Sequence, residues 1–494
     1  MYRIRRWFIL SIVSSALLLL VIDITVLYLA LPELTRALDL SASQKLWVLN
    51  SYALVVSGLL LGMGTLGDRL GHKRLFLAGL VVFGMASIGA AFAPSASALI
   101  VARAMLGIGA AMMMPATLAI IRLAFSDERE RAMAIGVWAA VASGGAAFGP
   151  MVGGLLLEHF WWGSVFLINV PIVALALICA LHAVPAMPGN RTRKWDLVGS
   201  VQATVGMVGL AHAIETAGAP RPHWPAALLS CAIGIAAMTC FVRRQRRSTQ
   251  PMLDFSIFRN AEFTNAVVAA LISAAALVGL ELSFSQRLLL VWSLSPLQAG
   301  LCLLPLALAS FIAGPLTGRY IGRVGSQRML FWSLLASALG MFVYLLLRDA
   351  RLPAQVAGLA MIGAGLGATM TAASATAMLN AAAEQAGMTA SIEEVSYELG
   401  GAIGVTLMGT ILSAVYAASL VVPPGVSPGA RDSLDAALRL AEDVDAASGA
   451  RLAAQARHAF ELGFGAVLAV ASLLLFVTAM LIRFRCRSGR RIAT

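Results

Sequence analysis

Charge is scarce in this sequence. Only 12% of its 494 residues are Asp, Glu, Lys or Arg while 60% are apolar, against a charged share of roughly 25% in soluble domains. That excludes a soluble fold. The five cysteines, Cys179, Cys231, Cys240, Cys302 and Cys486, include no CxxC or other metal-ligand spacing, so neither a disulfide framework nor a zinc site is expected. The six histidines contain no HxxxH pair, which removes support for an HExxH-type intramembrane protease. No GxxxxGK[ST] stretch is present, which argues against direct use of ATP. The glycine run Gly363-Ala-Gly365-Leu-Gly367 lies inside an apolar segment with no preceding soluble strand, and reads as helix packing rather than nucleotide binding. No cofactor and no metal is expected.

What charge there is has a pattern. Thirty-six basic against 24 acidic residues give a net +12, a balance that suits nucleic acid or anionic lipid equally well until position is considered. The basic residues sit at the ends of apolar runs: Arg3, Arg5 and Arg6 at the start, Arg243, Arg244, Arg246 and Arg247 in one cluster, and Arg483, Arg485, Arg487, Arg490 and Arg491 at the close. This reads as membrane topology, with no nucleic-acid partner.

A spanning helix needs about 20 mostly apolar residues. Breaking the chain at charged or Gly/Pro-rich joints gives fourteen such runs, near 7–32, 46–66, 75–95, 98–121, 132–157, 163–184, 196–216, 225–242, 263–287, 297–318, 328–347, 353–378, 390–417 and 461–482. The first is too long for a cleaved signal sequence, contains Asp23, and is expected to remain as a span. With a cytoplasmic N terminus, the joints after even-numbered runs carry Arg69/Lys73/Arg74, Arg122/Arg129/Arg131, Arg191/Arg193/Lys194, the 243–247 cluster and Arg319/Arg323/Arg328, as the positive-inside rule requires. Joint 379–389 has no Lys or Arg and is the weak point of that count. An even number of spans puts both termini in the cytoplasm. The one long hydrophilic insert, 418–460, then lies outside, with 431–457 expected as an amphipathic helix on the outer surface; about 40 residues rarely support an independent core.

An internal repeat divides the chain. Gly64-Thr-Leu-Gly-Asp68-Arg69-Leu-Gly71-His-Lys-Arg74 is answered 254 residues later by Gly318-Arg-Tyr-Ile-Gly322-Arg323-Val-Gly325-Ser-Gln-Arg328, with Gly64, Arg69, Gly71 and Arg74 recurring and Asp68 replaced by Gly322. The expected architecture is an all-α polytopic membrane protein: a six-helix bundle over 1–190, two inserted helices over 191–250, and a second six-helix bundle over 251–494.

Here the chain resembles the major facilitator superfamily. Gly64, Asp68, Arg69, Gly71, Lys73 and Arg74 match its loop motif between helices 2 and 3. The resemblance implies that the Asp and the basic residues pair with neighbouring helices and hold an inner gate. A Gly-bounded turn presenting Asp68 at a helix end is by itself a charge latch that can be broken and remade. Arg103, followed by Gly107 and Gly109, is similar to the family's R-x-x-Q-G motif, with Leu106 in place of Gln; an intramembrane arginine must pair or snorkel to the surface, and the resemblance gives it a part in proton coupling. The segment Gly145-Ala-Ala-Phe148-Gly149-Pro150-Met-Val-Gly153-Gly154 is similar to the antiporter motif of helix 5. Small residues there allow close helix approach, Pro150 bends the span, and the pattern points to export rather than uptake.

Acids inside the apolar runs are few. Asp23 lies in Val-Ile-Asp23-Ile-Thr25-Val-Leu-Tyr28, similar to the first helix of fourteen-span drug:proton antiporters. A lone carboxylate in a span needs a positive partner, for which a proton and an organic cation can compete; a structural hydrogen bond is the alternative. Glu394 and Glu398 are four residues apart on one helix face, with Glu393 offset by about 100°; an acid-favouring wet helix end is the alternative reading there. Glu281 is a secondary candidate. Trp47, Tyr52, Trp138, Phe148 and Tyr397 are candidates for lining a path for lipophilic cations.

Glu393-Glu394-Val-Ser-Tyr397-Glu398-Leu-Gly400, Gly136-Val-Trp138-Ala, Phe166-Leu-Ile-Asn169-Val-Pro171 and the long outer loop together resemble the quaternary-ammonium and methyl viologen exporters of that family, over essentially the whole chain. The resemblance implies proton-driven export of lipophilic organic cations (antiseptics, dyes, viologens) from an inner-membrane protein working as a monomer, with small-molecule cations, protons and the bilayer as its partners. Export of a metabolite such as an amino acid or siderophore is the second reading. A membrane enzyme or sensor using 418–460 as an outer domain is the third.

Overall fold

The computed structural model describes residues 2–492 apart from 126, 186–188, 190–194, 219–221, 249–250, 254, 349–351, 381–385 and 423–425. Side chains at 2–5, 61, 128–129, 131–133, 135–136, 139–140, 142–148, 218, 386–388, 390 and 486–492 lie outside the description as well. The expected roles of Gly145 and Phe148, and the basic side chains of Arg129, Arg131, Arg191, Arg193 and Lys194, therefore fall outside the described residues.

The repeat read in the sequence extends further in the structure than the loop motif. Helix α2 (Ala42–Leu70) and helix α11 (Pro296–Val324) open on capping boxes at the same offset. Ser41 accepts from the Gln44 N–H and Gln44 returns a bond to the Ser41 N–H; Ser295 and Gln298 do the same. Each box satisfies two of the donors that a helix N-terminus leaves free. Just before them, Asp39 and Ser293 adopt φ of 50° and 54°. Both helices end on glycines in the left-handed region, Gly71 at φ 96° and Gly325 at φ 90°. A side chain with a Cβ would be strained at either glycine, which is why the loop motif keeps them in both halves.

The remaining elements are α1 (Tyr2–Leu38), α3 (His72–Ala91), α4 (Ala96–Ala124), α5 (Glu128–His159), the short α6 (Ser164–Leu167), α7 (Asn169–Ala183), α8 (Leu197–Gly218), α9 (Trp224–Arg247), α10 (Ala261–Gln286), α12 (Ser326–Leu347), α13 (Leu352–Leu379), α14 (Ala386–Ser419), α15 (Leu434–Glu442) and α16 (Ala446–Ile492). Among the described residues twelve helices are long and apolar enough to cross a membrane, or thirteen if Ala42–Leu60 and Gly62–Leu70 make one span. The run expected over 132–157 corresponds to α5, many of whose side chains are outside the description.

Helices α1 to α7 pack among themselves, as do α10 to α14 and α16, and the pair α8/α9 sits against α2 and α14. Across the two groups, α5 meets α11 and α2 meets α14. These crossings are close. A Cβ on Gly154 would stand 2.6 Å from the Pro296 carbonyl oxygen, and one on Gly300 2.4 Å from that of Pro150. Gly149 and Gly153 face Thr25 and Val26 on α1. Leu46 packs on Gly409, and Asn50 Nδ2 donates to Thr406 Oγ1 at 2.7 Å. All of these crossings lie in the half of the molecule that carries the 418–460 insert. The glycines of 363–367 pack backbone against Leu306, Ser337 and Ser310, so that run is a helix contact.

The insert differs from expectation. In place of one helix over 431–457 there is a 3-10 turn at Pro428–Arg431, then α15, then a break at 443–445 after which α16 runs without interruption into the last span. The break has a chemical cause. The Asp445 carboxylate accepts from the Ser448 N–H at 3.0 Å and caps a new helix start; hydrogen bonds from the Ser448 backbone and side chain hold its pKa below the usual carboxylate value. The insert is tied down on both sides. Tyr416 donates to the Ala430 carbonyl at 2.9 Å, Arg439 pairs with Asp39 at 2.7 Å, and buried Lys45 on α2 pairs with buried Asp435 and reaches Ser433 Oγ at 3.4 Å.

Candidate functional site

Five helices of the first bundle, α1 to α4 and α7, meet around Asp23. Helix α4 starts on a Ser95 cap, whose hydroxyl accepts from the Ala98 N–H, and two turns later it carries Arg103 into the interior. Arg103 Nη1 donates to Asp23 Oδ2, with side-chain exposures of 1% and 0%. The guanidinium also donates from Nε to the Val48 carbonyl at 3.2 Å and stacks 4.8 Å from the Tyr52 ring centroid. Asn169 Nδ2 donates to the other oxygen, Asp23 Oδ1, at 2.9 Å, and lies 3.3 Å from Ser87 Oγ. Arg103 is thus a fully buried partner, not a snorkelling interfacial residue. A buried pair of this kind holds because each charge answers the other, and removing one alone typically costs about 3–5 kcal/mol.

Across the bundle interface stands α14. Glu393 is buried, 3.1 Å from the Tyr397 hydroxyl and hydrogen-bonded to the Ser374 side chain; Tyr397 is also 3.1 Å from the Met370 carbonyl. Glu394 and Glu398 lie deep in the molecule yet keep part of their surface accessible. Glu398 is within electrostatic reach of Arg103, Tyr52 and Tyr28, and Glu281 on α10 within reach of Tyr28. Asp23, Arg103, Tyr52, Glu281, Glu394 and Glu398 are therefore brought to one region. Glu393 is held to one side by its own hydrogen bonds.

Two of the aromatic candidates go elsewhere. Trp138 donates to Thr117 Oγ1 at 3.2 Å, a tie between α5 and α4. Trp47 turns towards the inserted helices, its ring 5.8 Å from that of His212. At the opposite end from the insert, the loop motif makes different bonds. Asp68 Oδ1 is 3.1 Å from His72 Nε2, and Lys73 Nζ donates to the carbonyls of Leu181 and Val184 at 2.8 and 2.6 Å. Those carbonyls are at the C-terminal end of α7, where backbone acceptors lack helical partners and the dipole favours a cation. Arg69 and Arg74 are exposed.

The sequence reading did not select Asn169, Tyr28 or the Asn50 to Thr406 bond. Amide and phenol groups inside apolar runs were the available signal. It also passed over a second buried arginine. Arg287, at the end of the run 263–287, pairs with Glu461 at 2.7 Å, lies 3.3 Å from the Tyr344 hydroxyl, donates to the Arg348 carbonyl at 3.1 Å, and stacks on Trp292 and Phe464. Residues at the edge of an apolar run look interfacial in a sequence, and both Arg287 and Glu461 stand at such edges.

The major facilitator superfamily family model matches residues 13–427. The methyl viologen resistance protein SmvA of Salmonella typhimurium is 37% identical over 494 residues, covering 99% of both chains. The multidrug efflux pump LfrA of Mycolicibacterium smegmatis is 38% identical, covering 97% of this chain and 96% of its own. The puromycin resistance protein of Streptomyces alboniger is 33% identical over 86% of this chain and 85% of its own. Among solved structures, a bacterial homologue of the human lysosomal transporter Spinster, in an inward-facing and unoccupied conformation, superposes with a TM-score of 0.62 at 16% identity, covering 96% of this chain and 97% of its own. With its repeated bundles, its loop motif in both halves and relatives along its whole length, the chain belongs to the major facilitator superfamily and is a multi-pass membrane transport protein, not an enzyme.

Proposed function

We propose that this protein exports lipophilic organic cations, among them quaternary ammonium antiseptics, dyes and methyl viologen, in exchange for protons. The observation that carries the reading is the buried Asp23 and Arg103 pair lying within electrostatic reach of Glu398 across the bundle interface. A carboxylate in an apolar interior must be matched by one positive charge, and a proton, an arginine and a substrate cation all qualify. When Asp23 takes a proton, Arg103 loses its partner and its charge acts on Glu398 instead, weakening that residue's hold on a bound cation. When Asp23 gives the proton up, Arg103 returns and Glu398 is free to attract the next cation. The curated relatives, one named for methyl viologen resistance and one as a multidrug efflux pump, support this substrate class.

In this reading the arginine-rich ends and the loop motif face the cytoplasm, both termini included, and the 418–460 insert faces outward in the inner membrane. The segments 1–190 and 251–494 are the two rocking bundles, 191–250 is an insertion between them, and the monomer suffices. The bundle crossings near the insert then close the outer side, leaving the carboxylates to be loaded from within. The driving force is inward proton movement. One charge crossing 100 mV is worth about 2.3 kcal/mol, to which the pH gradient adds.

The test is proton release from purified protein in detergent on addition of a lipophilic dication, repeated with Asp23→Asn and Glu398→Gln. Release that both substitutions reduce is expected, with Glu398→Gln weakening dications more than monocations. No release from well-folded wild type across several cations would overturn the cation assignment, and release on adding an amino acid or siderophore would replace it with the metabolite reading.

A further inference from the structure

The two inserted helices have no counterpart in a six-plus-six design, and they border an open recess. Between α2, α8 and α9 lies a cavity of about 420 Å³ with walls that include Trp47, Thr204, Val208, His212, Ser230 and Ile233. Its surface is almost wholly apolar. Val205 and Ile233, both on its walls, are 41% and 48% exposed, so the cavity opens sideways, where the bilayer would be. Its aromatic faces are the tilted rings of Trp47 and His212, and the buried His212 Nδ1 has no hydrogen-bond partner. One helical turn beyond His212, on the same face of α8, is the buried carboxylate of Glu215, which accepts from the Ser43 hydroxyl on α2.

We infer that this lateral cavity is a separate entry site for lipophilic aromatic cations that approach from the membrane phase. An apolar pocket suits the body of such a molecule, a Trp face attracts its charge, and a carboxylate one helical turn from the His212 wall favours a cation over a neutral lipid tail. The site leads somewhere. Trp47 and Val208 on its walls pack in the same apolar cluster as Leu399 and Ala402 of α14, and Leu399 adjoins Glu398. The cavity wall and the α14 turn that carries Glu398 are thus joined through one apolar cluster. The inserted pair thereby gives a cation dissolved in the bilayer a route that a water-soluble dication does not need. This inference rests on the proposed export of lipophilic cations, but binding at the cavity can be measured without transport.

The experiment uses the full-length protein in lipid nanodiscs and equilibrium binding of radiolabelled tetraphenylphosphonium. Two variants fill the cavity from opposite walls, Val205→Phe on α8 and Ser230→Phe on α9, and a third, Glu215→Gln, removes the carboxyl group. Wild type is expected to bind at two classes of site, and each filling variant to lose one of them; Glu215→Gln is expected to weaken that same class at least fivefold. In proteoliposomes the filling variants should raise KM for tetraphenylphosphonium at least fivefold with unchanged kcat, and leave KM for methyl viologen, which stays in water, as in wild type. Loss of binding stoichiometry in folded filling variants sustains the cavity even if wild type transports neither cation, an outcome that would instead remove the export reading. Unchanged binding in both filling variants would overturn the inference and assign the cavity to a lipid chain. An equal rise in KM for both cations would also overturn it, since a general disturbance of α8 and α9 predicts that result.

Discussion

Among the described residues two arginines are fully buried, one in each bundle, and their surroundings differ in one respect. Arg287 is satisfied entirely within its own bundle: carboxylate, phenol, carbonyl and two ring faces come from α12 and its C-cap, α16 and the turn after α10. Arg103 has a carboxylate, a carbonyl and one ring within its bundle, and its field reaches Glu398 in the other. The first arrangement gains nothing from changing. The second places a charge of one bundle within reach of a carboxylate of its neighbour, the contact that the proposed exchange would use. Burial of an arginine is common to both, so the difference lies in what stands across the interface.

The sharpest way to break this comparison is to replace each pair by apolar residues of similar volume. Removing one member leaves a buried charge unanswered, whereas replacing both is often neutral. Arg287→Met alone is expected to destabilise the protein by about 3–5 kcal/mol, while Arg287→Met with Glu461→Leu regains thermal stability and transports normally. Arg103→Met with Asp23→Leu should also fold, yet exchange should fall to background. Fluorescence-detected size exclusion with heating, together with uptake into inverted vesicles, reads both quantities. Transport by the second double variant would make the Asp23 pair a staple like the other.

Much of this contrast was legible in the sequence, and the illegible part has a physical cause. Asp23 and Arg103 stand out because charge deep in an apolar run is costly whatever surrounds it. The loop repeat stands out because left-handed glycines cannot be replaced, so Gly71 and Gly325 persist while Asp68 and Gly322 diverge. Partnership is a different matter. That Asp23 meets Arg103 and Asn169, while Trp47 turns to His212, depends on helix rotation, which a periodicity fixes only to about a quarter turn. The insert was misread for a related reason: 431–457 has the composition of one amphipathic helix, and a single Asx cap at Asp445 divides it.

A pair that spans the two bundles sharpens the comparison at intermediate size. Lys45 and Asp435 are both buried and tie the start of α2 to the insert, whereas Arg439 and Asp39 nearby are exposed. In a state open at that end Asp435 would meet water, so Lys45→Met penalises the closed state specifically. Part of the about 3–5 kcal/mol cost of breaking a buried pair then appears as a population shift of at least tenfold towards the form open at that end. Asp39→Asn, at an exposed pair worth about 0–1 kcal/mol, should shift it little. A cysteine at Leu46, which packs on Gly409 in the closed contact, reports the shift through labelling by a membrane-impermeant maleimide. Equal labelling in the two variants would show that the insert does not hold the bundles together.

The smallest effect concerns a carboxylate that no bundle interface touches. Asp196 precedes α8, accepts from the Gly199 N–H at 2.9 Å, and also receives Arg244 Nε at 2.8 Å and Gln245 Nε2 at 2.9 Å from α9. Partial burial raises its pKa, but the Gly199 N–H and then the Arg244 and Gln245 side chains outweigh that and leave it below the usual Asp value. A folded pKa below the unfolded one means that the native state is favoured where the group is ionised, so the contribution is whole at neutral pH and is lost as pH falls through the folded value. Asp196→Ala removes a helix cap and is expected to cost about 1 kcal/mol. The difference in melting temperature between wild type and variant should be constant from pH 8 to about 5 and shrink below about pH 4, with methyl viologen transport unaltered. A constant difference down to the lowest pH would assign the bond to the neutral acid. A loss of transport would place the inserted helices in the exchange cycle itself, and Asp196 would then join Arg103 rather than Arg287 in the comparison.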